Sequence, residues 1–224
     1  MVKQRLSVLH LLLDFLYPTK CMLCDTFQKT TFDTICSNCK DAFQSTELGN
    51  WIDSVAHPTG IDRAYSGWFF NNEIQKVIHS LKYQERAKLG RELGRLLARE
   101  LRYNSIGPLD ILIPVPLHPV KKRERGYNQA EWIVKGLAEI WNVPYSLNSL
   151  VRRKYTVSQT TLNAEERLRN MKDAFRVRKP VAGLNVGVVD DVLTTGSTIS
   201  ACAVSLKKEG ANQVIAISCS TPIR

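Results

Sequence analysis

The run 185-NVGVVDDVLTTGST-198 constrains the fold more tightly than any other part of the chain. Its apolar residues Val186 to Val189 read as a strand buried on both faces, and the small, hydroxylated residues Thr194 to Thr198 read as a loop. A helical pattern follows from Ser197 to Glu209, then a second strand from Gln213 to Ser218. Strand, loop, helix and strand in that order imply a mainly parallel α/β sheet flanked by helices. Upstream, 111-ILIPVPL-117 reads as the first core strand. Apolar residues repeat at helical spacing at Ile74, Val77, Ile78 and Leu81, at Leu89, Leu93, Leu97 and Leu101, and from Tyr127 to Trp141.

Two adjacent acids, Asp190 and Asp191, end the buried run. Helix capping accounts for one Asp or Thr, but not for two acids joined to a Thr-Thr-Gly-Ser-Thr loop. Unpaired backbone amides at a helix N-terminus, with hydroxyl donors and a glycine that admits close approach, make a cradle for a phosphate monoester. Carboxylates accept from vicinal ribose hydroxyls, so the same stretch offers acceptors for the sugar just upstream of the phosphate. Thr194, Thr195, Gly196, Ser197 and Thr198 are therefore candidate phosphate ligands, and Asp190 and Asp191 candidate ribose ligands.

The N-terminal region carries a separate signal. Cys21-Met-Leu-Cys24 and Cys36-Ser-Asn-Cys39 are two Cys-x-x-Cys knuckles eleven residues apart. Each two-residue gap lets both sulfurs face one ion, and four thiolates make a closed tetrahedral zinc site with a structural role. The competing reading, two disulfides, is disfavoured in a reducing compartment. Cys202 and Cys219 read as small buried hydrophobes. Turn residues Gly49, Pro58 and Gly60 place a boundary near residue 60, giving an N-terminal helix and zinc ribbon over 1–60 and an α/β domain over 61–224.

Charge is divided along the same boundary. The net charge is +10, yet residues 1–60 hold five basic against six acidic residues, so the excess belongs downstream. A basic field favours phosphorylated metabolites or nucleic acid as ligands. Arg91, Arg95, Arg99 and Arg102 read as the solvated face of a helix. The opening leucine-rich stretch is interrupted by His10 and Asp14, which predicts a short amphipathic helix rather than a signal or membrane span, and a cytoplasmic protein.

The pattern of apolar residues, two acids, two variable positions and Thr-Gly-x-Thr resembles the phosphoribosyl pyrophosphate (PRPP) loop of type I phosphoribosyltransferases. Taken with the two knuckles, Leu81-Lys82-Tyr83, Pro114-Val115-Pro116-Leu117-His118 and Arg125-Gly126-Tyr127-Asn128-Gln129-Ala130, the chain resembles the ComF family of competence proteins over essentially its whole length. That resemblance implies a type I phosphoribosyltransferase fold behind a small zinc ribbon, and a role in DNA uptake during natural transformation beside other competence proteins. It implies pyrophosphate binding by the turn Val115 to Leu117, with Arg123 and Arg125 beyond it, and a hood over the site from residue 152 to 175 carrying Arg153, Lys154, Gln159 and Arg167. The implied ligand is PRPP with Mg²⁺, and the implied reaction is phosphoribosyl transfer to an acceptor, with Asp190 and Asp191 orienting the sugar. Two other readings stay open. One is a non-catalytic scaffold for single-stranded DNA or PRPP sensing, with Trp68, Phe69, Phe70, Tyr83 and Tyr127 as stacking platforms. The other is a metabolic transferase of nucleotide salvage.

Overall fold

The computed structural model describes residues 20–27, 34–47, 49–55, 58–83, 87–153 and 174–222. The expected N-terminal amphipathic helix, and Lys154, Gln159 and Arg167 of the expected hood, lie outside them. In chain order the elements are α1 (Ser37–Asp41), a 3-10 turn (Ile52–Ser54), β1 (Arg63–Phe69), α2 (Asn72–Tyr83), α3 (Ala87–Leu101) and α4 (Tyr103–Ile106). There follow β2 (Ile111–Pro114), α5 (Pro119–Arg125), α6 (Gln129–Trp141), β3 (Leu150–Arg152), β4 (Phe175–Val177), β5 (Asn185–Val192), α7 (Ser197–Lys208) and β6 (Gln213–Thr221).

Four strands form one sheet in the order β1-β6-β5-β2, and every pairing in it is parallel. Parallel strands are covered on both faces, which explains why the central pair β5 and β6 reads as continuous apolar sequence. Alternate residues serve opposite faces. Val189, Ile215, Ile217 and Cys219 pack with α2, α3 and α6, while Val186, Val188, Val214 and Ala216 pack with α7. Among the described residues, no helix is long and apolar enough to cross a membrane.

The α/β class and the parallel sheet are as the sequence predicts, but several elements depart from expectation. The first strand of the sheet is β1, not 111–117, and its composition, RAYSGWF, carries little strand periodicity. Trp68 lies within β1, is only 4% exposed and meets Phe43 edge-to-face at 5.3 Å, so it is a core residue and no platform for a base. Phe69 is likewise engaged, edge-to-face with Trp51 at 5.5 Å. The basic segment beyond the Val115 to Leu117 turn forms the short helix α5, and β3 and β4 make a separate antiparallel pair. β5 runs on to Val192, which puts both acids inside the strand.

Helices α3 and α6 cross at glycine. A Cβ on Gly94 would lie 2.1 Å from the Ile133 carbonyl oxygen, and one on Gly136 would lie 2.0 Å from the Arg91 carbonyl oxygen. The backbones touch where most helix pairs are held 8–10 Å apart by side chains. Outside this seam Arg91 and Arg95 both pair with Glu139 of α6, Arg95 Nη2 at 2.7 Å, so half of the supposedly solvated arginine face serves the crossing. The knuckle region docks on the same helix. Glu92 of α3, 7% exposed, accepts from the Thr34 amide at 2.5 Å and from the Thr34 hydroxyl, and pairs with Lys40 Nζ at 3.4 Å.

Candidate functional site

Helix α7 opens with Gly196 as its cap, in the left-handed conformation (φ 76°), so the cap offers the first turn no side chain, and the Ser197 amide makes only a long contact to Thr195 Oγ1 at 3.5 Å. The first-turn amides of a helix have no intrahelical partner and sum to a partial positive charge, so they face outward as anion donors. Gly196 is required there twice over. Its φ disfavours other residues, and a Cβ would lie 2.3 Å from Val55 Cγ1. Thr195 and Ser197 exchange a hydroxyl contact at 3.0 Å beneath the turn. One small cavity is lined by Asp190 and by the run from Val192 to Ile199, which brings Thr194, Thr195, Gly196, Ser197 and Thr198 together with one of the two acids.

The acids themselves part company. Successive residues of an extended strand face opposite sides. Asp191, 6% exposed, turns to α6, where Gln129 Nε2 donates to its Oδ2 at 3.3 Å. Asp190 lies on the α7 side, half-buried at the cavity, where its charge acts on Arg152 and Cys202. Asp190 is therefore the acid that borders the phosphate cradle.

A cationic cluster stands near it. Burial lowers the pKa of Lys121, and the charges of Arg152 and Arg125 lower it further. Arg152, itself held down by burial, feels the opposing pull of Cys202 and Asp190. Lys121 of α5 thus lies within reach of the charges of Arg125 and of Arg152 on β3, and of these cations Arg152 is the one that feels Asp190. Arg123 is exposed on α5 and Arg153 is exposed at the end of β3. The Val115 amide is already used, donating to the Val189 carbonyl at 2.8 Å as an extension of β2. Leu117 is half-buried in the turn into α5.

Asn128 holds this region in register. Only 2% exposed, it caps α6 by accepting from the Ala130 amide at 3.1 Å, and its Nδ2 donates to the Val115 carbonyl at 2.9 Å. Asn128→Ala removes a cap worth about 1 kcal/mol and leaves a buried carbonyl short of its donor, worth about 1–3 kcal/mol. Urea unfolding should therefore show a loss of roughly 2–4 kcal/mol; a midpoint unchanged from wild type would show that the side chain is not a staple. Lys121, Arg152, Asn128 and Gln129 are the residues that sequence reading leaves out of the site, and only the Arg-Gly-Tyr-Asn-Gln motif hints at two of them.

The four knuckle cysteines meet at a second locus. Their sulfurs all lie within 4.8 Å of one another, with Cys21 to Cys39 at 3.8 Å and Cys24 to Cys36 at 3.7 Å. Zn–S bonds of about 2.3 Å in tetrahedral array require S···S edges of about 3.8 Å, so the set fits a closed four-thiolate site. The Thr26 hydroxyl and backbone lower the Cys24 pKa to about 6, while burial and the neighbouring thiols push Cys39 up. Cys24 is thus inclined toward the thiolate, and a bound ion would draw ionised ligands from the set. With four protein ligands no position stays open for substrate, so the ion's contribution would be to folding.

No protein-family model matches the chain. Among curated proteins, it is 37% identical over 145 residues to the DNA utilization protein YhgH of Salmonella typhi, a match spanning 63% of this chain and 64% of that relative. It is 34% identical over 146 residues to Competence protein F of Haemophilus influenzae, spanning 62% of this chain and 63% of the relative. Similarity to Competence protein ComFC of Streptococcus pneumoniae is 26% over 222 residues, covering 87% of this chain and 96% of the relative. Among solved structures, glutamine PRPP amidotransferase from B. subtilis aligns with a TM-score of 0.41 and 22% identity over 62% of this chain and 30% of that one. A purine phosphoribosyltransferase from Pyrococcus horikoshii aligns with a TM-score of 0.34 and 19% identity, over 56% of this chain and 68% of that one.

Proposed function

From a chain that is a homologue of the ComF/YhgH/ComFC competence and DNA utilization proteins, we propose a PRPP-binding phosphoribosyltransferase domain, spanning residues 61–224 and joined to a zinc ribbon over 1–60, that acts in DNA uptake or use. The observation that carries this reading is the first turn of α7, opened by a glycine cap beside Asp190. The turn supplies amides and hydroxyls for a 5′-phosphate, and Asp190 supplies an acceptor for a ribose hydroxyl.

Displacement of pyrophosphate from the anomeric carbon builds positive charge on the sugar ring and negative charge on the leaving group. Asp190 favours the first, with Asp191 behind it on the opposite face of β5, and Arg152, which feels the charge of Asp190, favours the second together with Lys121. The chemistry that Mg²⁺ would supply, bound with the diphosphate, is neutralisation of the leaving charge. Its preference for few protein ligands and several waters suits a site with one acid at the cavity.

Calorimetric titration of PRPP with Mg²⁺ into wild type and into Asp190→Asn is the test. Saturable binding that weakens roughly 10- to 100-fold in the variant, the size of a hydrogen bond to a charged group, is the expected result. A folded, metal-replete wild type that takes up no PRPP would sink the proposal. A second reading, a scaffold for single-stranded DNA, draws on the first knuckle, where Phe27 is 60% exposed and Lys20 Nζ stands 4.9 Å from its ring centre. Exposed aromatics beside cations suit stacked bases. DNA binding that falls steeply with salt and ignores Asp190→Asn would favour that reading.

A further inference from the structure

We infer that Gln129 is a positioning residue for Asp191, and that through its amide the acid on β5 and Arg125 on α5 are linked as one unit. The inference rests on the proposed PRPP site: neither Gln129 nor Asp191 lines the cavity, and the pair acts on it through Asp190, whose Oδ1 accepts from the Asp191 amide at 2.9 Å.

Gln129 is the first residue of α6 and only 5% exposed. Its Nε2 donates to Asp191 Oδ2 at 3.3 Å, and its Oε1 receives Arg125 Nη1 at the longer distance of 3.5 Å. A carboxylate requires a donor and a guanidinium requires an acceptor, so one orientation of the amide satisfies both and the flipped one satisfies neither. A buried carboxylate is costly unless hydrogen-bonded. The partner here is a neutral amide, which fixes the Asp191 carboxyl plane while leaving its charge intact. On the other oxygen, Asp191 Oδ1 accepts from the Val192 amide at 2.9 Å, so both oxygens are held. Gln129 is in turn fixed by its neighbour, because Asn128 caps α6 and bonds the end of β2. One short motif thus ties the strand end, the basic helix and the acid into a single set.

An amide has a specific chemical signature in this place. A glutamate at 129 would set two carboxylates about 3 Å apart, where one pKa rises strongly because both cannot ionise. Above that raised pKa the pair repels and the acid is displaced. Below it, the protonated glutamate carries an O–H that donates to Asp191 as the amide does, and positioning returns. A leucine at 129 has no donor at any pH.

PRPP with Mg²⁺ is titrated into wild type, Gln129→Glu and Gln129→Leu between pH 5 and 8.5, each variant being compared with wild type at the same pH so that ligand ionisation cancels. Thermal melting and metal content serve as controls for folding. The expected result is a loss of roughly 10- to 100-fold for both variants at high pH. The Gln129→Glu loss shrinks toward wild type as pH falls, while the Gln129→Leu loss stays constant. Equal affinity of all three proteins, or parallel pH profiles for the two variants, overturns the positioning role and leaves the PRPP site standing. Absence of binding by folded wild type overturns the site and this inference with it.

Discussion

Gly136→Ala is expected to be among the most destabilising single-methyl changes in the protein. The added Cβ falls 2.0 Å from the Arg91 carbonyl oxygen and 2.9 Å from Gly94 Cα, and both are backbone atoms that no rotamer change can move. Helices α3 and α6 would have to separate. Separation loosens the seam that buries Leu93, Leu97, Ile133 and Leu137 and weakens the Trp141 Nε1 bond to the Ala98 carbonyl at 2.8 Å. Overpacking typically costs about 1–3 kcal/mol, and backbone contact places this case at or above the top of that range. For a chain of this size, about 3 kcal/mol corresponds to roughly 6–12 °C in melting temperature. Ile140→Ala, on the same helix but 41% exposed, is the control and should change little. Calorimetric melting of the two variants measures this; a Gly136→Ala protein that melts with wild type would mean the helices are not in backbone contact. Because Gln129 opens α6, the same substitution should also weaken PRPP binding without touching a ligand-binding side chain.

Loss of an ion from the four-cysteine site is expected to be the second large effect. One zinc ion per chain is expected, and either a strong chelator or Cys36→Ser should lower the melting temperature by roughly 10 °C or more. Metal affinity in such sites is folding free energy, of order 10 kcal/mol in isolated zinc-finger peptides. Here the loss also reaches α3. Cys36 and Cys39 lie within the Thr34–Lys40 segment that pairs with Glu92, and a buried carboxylate deprived of its partners costs about 3–5 kcal/mol. Thiolates are the ligands, so metal retention should fall as pH drops, with protons competing for the sulfurs. Metal analysis and melting with and without chelator decide the matter. A chain that purifies with no stoichiometric metal and melts unchanged after Cys36→Ser would rule out a structural ion.

Much of this was readable along the chain, because the signals are local. The two knuckles lie within nineteen residues, and a Cys-x-x-Cys turn brings its own sulfurs together whatever the rest of the fold does. The strand, acids, glycine loop and helix of 185–208 are likewise one continuous unit, and their side-chain periods state which element each residue joins. β1 escaped, since RAYSGWF owes its strand state to pairing with β6, its sequence neighbour by more than 140 residues. Its buried serine shows the cause: Ser66 is satisfied by Ser218 Oγ at 2.9 Å, a partner that local pattern cannot reveal.

The sequence by itself therefore determined the α/β class, the glycine-opened helix start after two acids, and the clustered thiols. Only tertiary structure decided which way each acid faces, that Gln129 rather than a second cavity ligand meets Asp191, and that Arg152 comes within reach of Asp190. The physical reason is the range of the interactions. Backbone hydrogen bonding and side-chain period act over a few residues and are written in order along the chain. The Gln129–Asp191 contact spans 62 residues and depends on how closely α6 lies against the sheet, which is set by two glycines that sequence pattern alone marks only as weak points in a helix.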